Sequence, residues 1–150
     1  MTILAWHFVN DTLRDGRPVP PDGEWLVHSG KVVMCASGLH ASRRPFDALQ
    51  YAPGAILCRV ECDDIVQEGS DKLVCLRRRI IARRDATDGL RYFARMQALS
   101  VVHLWDAPDV VLDYLMTGDE SLRAAARDAA RAAARNDFAA LVAEAFEGVA

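Results

Sequence analysis

The sequence predicts an α+β fold in which strands come first and helices last. Three observations carry this. Apolar runs that alternate or continue without interruption fill residues 1–84, and from Leu90 onward the apolar spacing becomes helical. The last thirty positions are dominated by alanine, the strongest helix former. At 150 residues the chain is long enough for one ordinary core. It reads as a single domain, 1–150, mainly strands with one short helix over 1–84 and mainly helices over 85–150.

Hydrophobic residues at 51% and charged residues at 26% match a soluble globular protein. Because many of the apolar residues are alanine, the first half must supply most of the bulky core. Eighteen Lys and Arg against 21 Asp and Glu leave a net charge of -3. That balance argues against general nucleic-acid binding and leaves room for a local basic site. The opening "MTILAWHFVNDT" lacks the basic segment and long apolar run of a signal peptide, and no stretch approaches the ~20 apolar residues that span a bilayer. A cytoplasmic location without a membrane partner is expected.

In chain order, "ILAWHFV" (residues 3–9) reads as a strand covered on both faces, apolar except for His7. "RPVPPDGEW" breaks structure with three prolines and an Asp-Gly turn. "EWLVHSGKVVMC" reads as a hairpin turning at Ser29 and Gly30. Pro45 suits the first turn of a short helix on which Phe46 and Leu49 share a face, and Pro53-Gly54 ends it. "AILCRVEC" alternates, with Ile56, Cys58, Val60 and Cys62 on one face and Arg59 and Glu61 on the other. "KLVCLRRRIIA" is the next strand, and the acidic stretch "DDIVQEGSD" is expected as the loop between the two. In its arginine triplet, Arg77 to Arg79, at most two side chains share a face. The triplet reads either as an edge strand protected by charge or as an anion site.

Leu90, Phe93, Ala94, Val101, Leu104 and Trp105 fit one or two helices, and a further helix opens at Pro108 and stops at Thr117-Gly118. Asp119 or Ser121 is the expected cap of the final helix. Along that helix Arg123, Arg127, Arg131 and Arg135 recur every fourth residue as a slanting stripe. It reads as a solvated face or as a docking surface for an acidic partner. Leu141, Val142 and Phe146 are expected to pin the end of the helix to the body or to another chain.

Four cysteines, Cys35, Cys58, Cys62 and Cys75, lie in apolar strand-like runs and read as small buried thiols. Cys58 and Cys62, four apart in a strand, would stand about 13 Å from each other. One zinc ion with ligands at about 2.0–2.3 Å cannot hold both, so no metal is expected. No GxxxxGK or GxGxxG loop is present. The constellation that remains is His7 on the first strand, His40 at the end of a strand, and Tyr51 after the short helix. His28 and His103 read as structural or surface groups.

Two resemblances bear on these residues. The Gly-Leu-His, Asp-Ala-Leu and Tyr-Ala-Pro-Gly segments, followed by an alanine, arginine and aspartate-rich helix, resemble over the whole length a family of uncharacterised phage and bacterial proteins. Over the first half, "AWHFV" and "GLHASRRPFDALQYAPGAILCRVEC" resemble more distantly the poly(ADP-ribose) polymerase branch of ADP-ribosyltransferases. That resemblance implies a split mixed sheet and an NAD site. His7 would hold the adenosine ribose, and Tyr51 with His40 would stack on the nicotinamide, where flat rings beside a small cationic heterocycle gain stacking and cation–π attraction. Arg43 and Arg44, before the short helix, would meet the pyrophosphate. The place of the family's catalytic glutamate holds Asp71 or Lys72. Asp71, one carbon shorter, is the catalytic candidate, whereas a lysine would repel the cation that develops in the transition state.

Two functions are therefore expected as alternatives. The first is a phage or prophage type accessory protein that binds NAD or an ADP-ribose-like nucleotide, with transferase chemistry as an extension. The second is a non-enzymatic anti-defence protein that binds a host complex through Arg123, Arg127, Arg131 and Arg135 and the acidic residues Asp63 and Asp64.

Overall fold

In the computed structural model, which describes residues 2–147, the α+β reading holds: an antiparallel sheet lies in the first half and helices in the second. The chain divides into two compact units, Met1–Asp88 and Gly89–Ala150. The first contains β1 (Ile3–Val9), β2 (Trp25–Val27), β3 (Leu39–Ala41), α1 (Pro45–Leu49), β4 (Ile56–Glu68) and β5 (Leu73–Asp85). The alternation around residue 60 does what it promises. Cys58, Val60 and Cys62 are fully buried, while Arg59 and Glu61 lie on the other face.

β4 and β5 pair along nearly their whole length through the turn at residues 69–72, which the Gly69 N–H to Lys72 carbonyl bond (2.8 Å) closes. The stretch "DDIVQE", expected as loop, therefore continues β4, and Asp63 sits opposite Arg77 in an ion pair at 3.3 Å. β1 pairs with the free edge of β4, so β4 is interior. β5 is interior as well, because β2 and β3 both pair with its other edge. Just beyond β3, Ser42 exchanges backbone hydrogen bonds with Trp6 of β1 (2.7 and 2.9 Å). Pairing thus runs from β1 through β4 and β5 to β3 and back to β1. Inside this curl lies the core of Ala5, Val9, Leu39, Val60, Leu73 and Ile80, with the free thiols of Cys58, Cys62 and Cys75 among them.

Several local expectations are corrected. The sheet is antiparallel throughout its ladders and not mixed. The hairpin expected at Ser29-Gly30 does not form: β2 pairs with β5, and the following run makes only an isolated bridge from Val33 to Ser37. Against β5 the Trp25 ring lies under the guanidinium groups of both Arg77 and Arg79 (4.6 and 4.7 Å), a pair of contacts that favours this strand as the partner of β2. Leu4 is 52% exposed, so β1 is not covered on both faces. Cys35 is exposed in a turn with φ +68°, unlike the three buried cysteines.

The helix α2 (Thr87–Val101) begins at the end of the first unit, and the second holds the rest of it, one turn of 3-10 helix, α3 (Asp109–Thr117) and α4 (Arg123–Ala145). Val111 and Leu115 of α3 pack on Ala126 of α4. Gly118 ends α3 in the left-handed conformation as its sequence context predicts (φ +71°), its N–H bonded to the Tyr114 carbonyl at 2.8 Å. Neither Asp119 nor Ser121 caps α4: Leu122 stands at that position, and the Asp119 carboxylate instead accepts from the Ser121 N–H (2.9 Å). Leu141, Val142 and Phe146 stay exposed and pin nothing within their unit. Among the described residues no helix is long and apolar enough to cross a membrane.

One glycine in the first unit is under a tight constraint. Gly38 has φ +116°, and a Cβ there would sit 2.5 Å from Val74 Cγ2, a fully buried side chain that cannot withdraw. Gly38→Ala is expected to cost about 2 kcal/mol or more of stability, read as a lower urea midpoint with an unchanged slope.

Candidate functional site

A cavity of about 920 Å³ opens in the first unit, lined by Trp6 to Val9 of β1, by β3, by Arg78 of β5 and by residues of the segments 10–17 and 35–38. His7, His40 and Tyr51 all line it, so the three residues singled out from the sequence do meet there. Their states differ sharply.

His40 is held by its own loop. Its Nε2 accepts from the Cys35 N–H (3.0 Å) and its Nδ1 stands 3.2 Å from the Gly38 carbonyl. One nitrogen must accept and the other donate, which assigns the neutral ring with the proton on Nδ1. Burial accordingly lowers the His40 pKa, and Lys72 and Arg78 add to the effect. His40 therefore orders the segment from Cys35 to Gly38 and offers a ligand only its ring face. His7 is different: its imidazole has no hydrogen-bond partner among the described residues. Burial, then Arg78 and His40, push its pKa well below the ordinary value. It faces the cavity as a neutral ring with one donor and one acceptor free.

Tyr51 donates its hydroxyl to the Asp71 carboxylate, which also accepts from Gln50 at 3.4 Å. The Lys72 ammonium lies over the Tyr51 ring, 4.2 Å from its centre. Lys72 lines both the large cavity and a second hollow of about 310 Å³, whereas Asp71 lines the second and not the first. The ammonium pKa is raised by contact with the Cys35 thiol and then the Tyr51 phenol. Arg43 and Arg44 belong to the second hollow also. Arg43 pairs with Glu68 in a two-point contact, and Arg44 pairs with Asp47 at 2.7 Å. The structure does not bring them to the three ring residues.

What does reach the cavity is a set of cations, of which the sequence reading named Lys72 and, within its triplet, Arg78, and passed over Arg14 and Arg17. Arg14, Arg17, Lys72 and Arg78 line it, against the single carboxylate of Asp15, which is paired with Arg17 at 2.7 Å. Arg78 is only 5% exposed and donates to the His40 carbonyl. His28 lines the wall with Ser37 as its partner (3.1 Å) and so does have one. The signal for Arg78 was present in the sequence: within "KLVCLRRRIIA" it shares parity with Val74 and Ile80, an arginine on an apolar face. Of the arginine stripe on α4, Arg123 and Arg127 lie within 4 Å of the carboxylates of Glu120 and Asp128. Arg131 and Arg135 make no ion pair among the described residues. Asp63, paired with Arg77, belongs to the outer sheet face and not to a free acidic loop.

Residues 3–91 match the model of a family described as a domain of unknown function, DUF7666, and the chain belongs to that family. No curated protein and no solved structure matches the chain.

The two depressed histidines set a pH dependence. Their folded-state pKa values lie below the unfolded value of about 6.5, so the unfolded chain takes up protons first as pH falls. Their contribution is complete above pH 6.5 and is lost progressively below it, down through the folded pKa values. The thermal midpoint is expected to fall between pH 7 and pH 5, and to fall less in His7→Leu, as differential scanning calorimetry across that range would show.

Proposed function

We propose that the first unit binds a nucleotide of the NAD or ADP-ribose kind in the cavity of His7, His40 and Tyr51. The observation that carries this reading is a cavity of about 920 Å³ lined by four cations and one carboxylate in a chain whose net charge is negative. The volume is that of small-molecule sites generally, about 300–1,000 Å³. The cation excess favours an anionic ligand. His7 supplies a free donor and acceptor for the polar groups of the ligand, and the ring face of His40 supplies flat wall.

The reading is of binding and includes no transferase step. A transferase needs a carboxylate beside the nicotinamide ribose, and the group that lines this cavity from the 71–72 turn is the Lys72 ammonium. Calorimetric titration with NAD and ADP-ribose tests the proposal. Saturable binding is expected, weakened about tenfold by His7→Ala, the order of one or two lost hydrogen bonds, and weakened also by Tyr51→Ala, with both variants folded. Equal binding by parent and variants would move the ligand out of this cavity. No heat up to millimolar ligand would end the nucleotide reading.

A second reading, a surface on α4 that binds an acidic protein, is favoured by Arg131 and Arg135, which make no ion pair among the described residues, and by the exposed Phe138 and Leu141 on the same helix. Arg127→Glu with Arg131→Glu is expected to lose a partner recovered from host lysate and to leave ADP-ribose binding intact. Recovery of the same partner by both forms would remove that surface from consideration.

A further inference from the structure

We infer that Arg78 and His7 form an oxyanion subsite at the inner end of the cavity, so that the ligand it takes must carry a phosphate group. This rests on the nucleotide reading above and names the part of the ligand that is recognised.

Every other cation near the two hollows has an anion or an open surface. Arg17 has Asp15, Arg43 has Glu68, Arg44 has Asp47, and Arg14 and Lys72 stand at the surface. Arg78 has neither. It is 95% buried, and among the described residues its single hydrogen bond goes to the His40 carbonyl. A guanidinium carries five N–H donors. Among the described residues every side-chain nitrogen or oxygen wholly cut off from solvent has a partner, so the unused Arg78 nitrogens are those that keep access to the cavity.

Among the described residues no carboxylate is buried beside it. The neighbouring groups are the thiols of Cys58, Cys62 and Cys75. Burial holds Cys58 protonated, and the hydrogen bond that Cys62 gives to Cys75, together with burial, holds Cys62 protonated; that same bond lowers the Cys75 pKa, and the Cys75 thiol donates to the Leu39 carbonyl at 3.2 Å. A buried cation with one hydrogen bond is costly, and an anion that arrives beside it recovers that cost. The planar fork of arginine suits two oxygens of a phosphate, and the free donor of the neutral His7 ring suits a third.

The test titrates the protein with ADP-ribose, adenosine and inorganic pyrophosphate, then repeats the series with Arg78→Met and Arg78→Lys after a thermal-melt check of folding. ADP-ribose is expected to bind the parent about 10- to 100-fold tighter than adenosine, the range of charge-assisted hydrogen bonds. Pyrophosphate alone is expected to compete with it. In Arg78→Met the advantage over adenosine should vanish, and in Arg78→Lys, which keeps the charge without the fork, it should shrink. Equal affinity of the parent for ADP-ribose and adenosine overturns the subsite, as does an advantage that survives in folded Arg78→Met or is undiminished in folded Arg78→Lys. If neither nucleotide binds while pyrophosphate raises the melting temperature of the parent and not of Arg78→Lys, the oxyanion subsite stands and the nucleotide reading fails. If none of the three ligands binds, the subsite falls too.

Discussion

The antiparallel ladder between β4 and β5 is the constraint from which the first unit follows. Every other strand is attached to one of these two: β1 to β4, and both β2 and β3 to β5. Its register places Val60 opposite Ile80 and Cys62 opposite Arg78, which keeps one face inside and sets Arg59 and Glu61 on the other. A slip of one residue would exchange the faces, and each large apolar side chain turned out would lose about 1.5–3 kcal/mol of burial. Irregularities between Arg59 and Val60 and between Ile65 and Gln67 break the ladder where the sheet curls. The curl brings β3 far enough round for Ser42 to bond Trp6.

The cavity is a product of that closure. β2 and β3 are three residues each and share one edge of β5, while the chain between them wanders over the inner face without a ladder of its own. Its backbone is held by substitutes for pairing. His40 grips the Cys35 N–H, Arg14 donates to the Cys35 carbonyl at 3.3 Å, and Gly38 passes close enough to Val74 that no side chain would fit. Because His40 is used for this, the free imidazole of His7 is the ring whose nitrogens remain for chemistry.

Adjacent arginines meet opposite fates on the two faces of β5. Arg77 and Arg79 lie outward, each over the Trp25 ring and each paired with a carboxylate of β4, Asp63 or Glu61. That arrangement is a cross-strand ladder of charge and ring contacts and asks for nothing further. Arg78, one residue along in each case, is carried inside, where its partner is a single carbonyl. The contrast comes from the two-residue period of a strand acting on three identical side chains.

Patterns of local origin were legible in the sequence. The alternation of Ile56 to Cys62 showed the buried face of β4, Gly118 showed the end of α3, and His40 and Tyr51 stood out as rings that bracket a short helix, with His7 joined to them by the family resemblance. Pairing partners were not legible, since strand propensity states that a segment is extended and says nothing of its neighbour. Hence β2 joined β5 instead of its own hairpin, and "DDIVQE" became strand when Arg77 offered Asp63 a partner. The site divided along the same line. Sequence alone determined which residues could do chemistry and, through parity, that Arg78 faces away from Arg77 and Arg79. Only the tertiary structure decided that Arg43, Arg44 and Asp71 are tied up at a second hollow while Lys72 and Arg78 reach the first, because a charge is spent or left free by whichever group folding sets beside it.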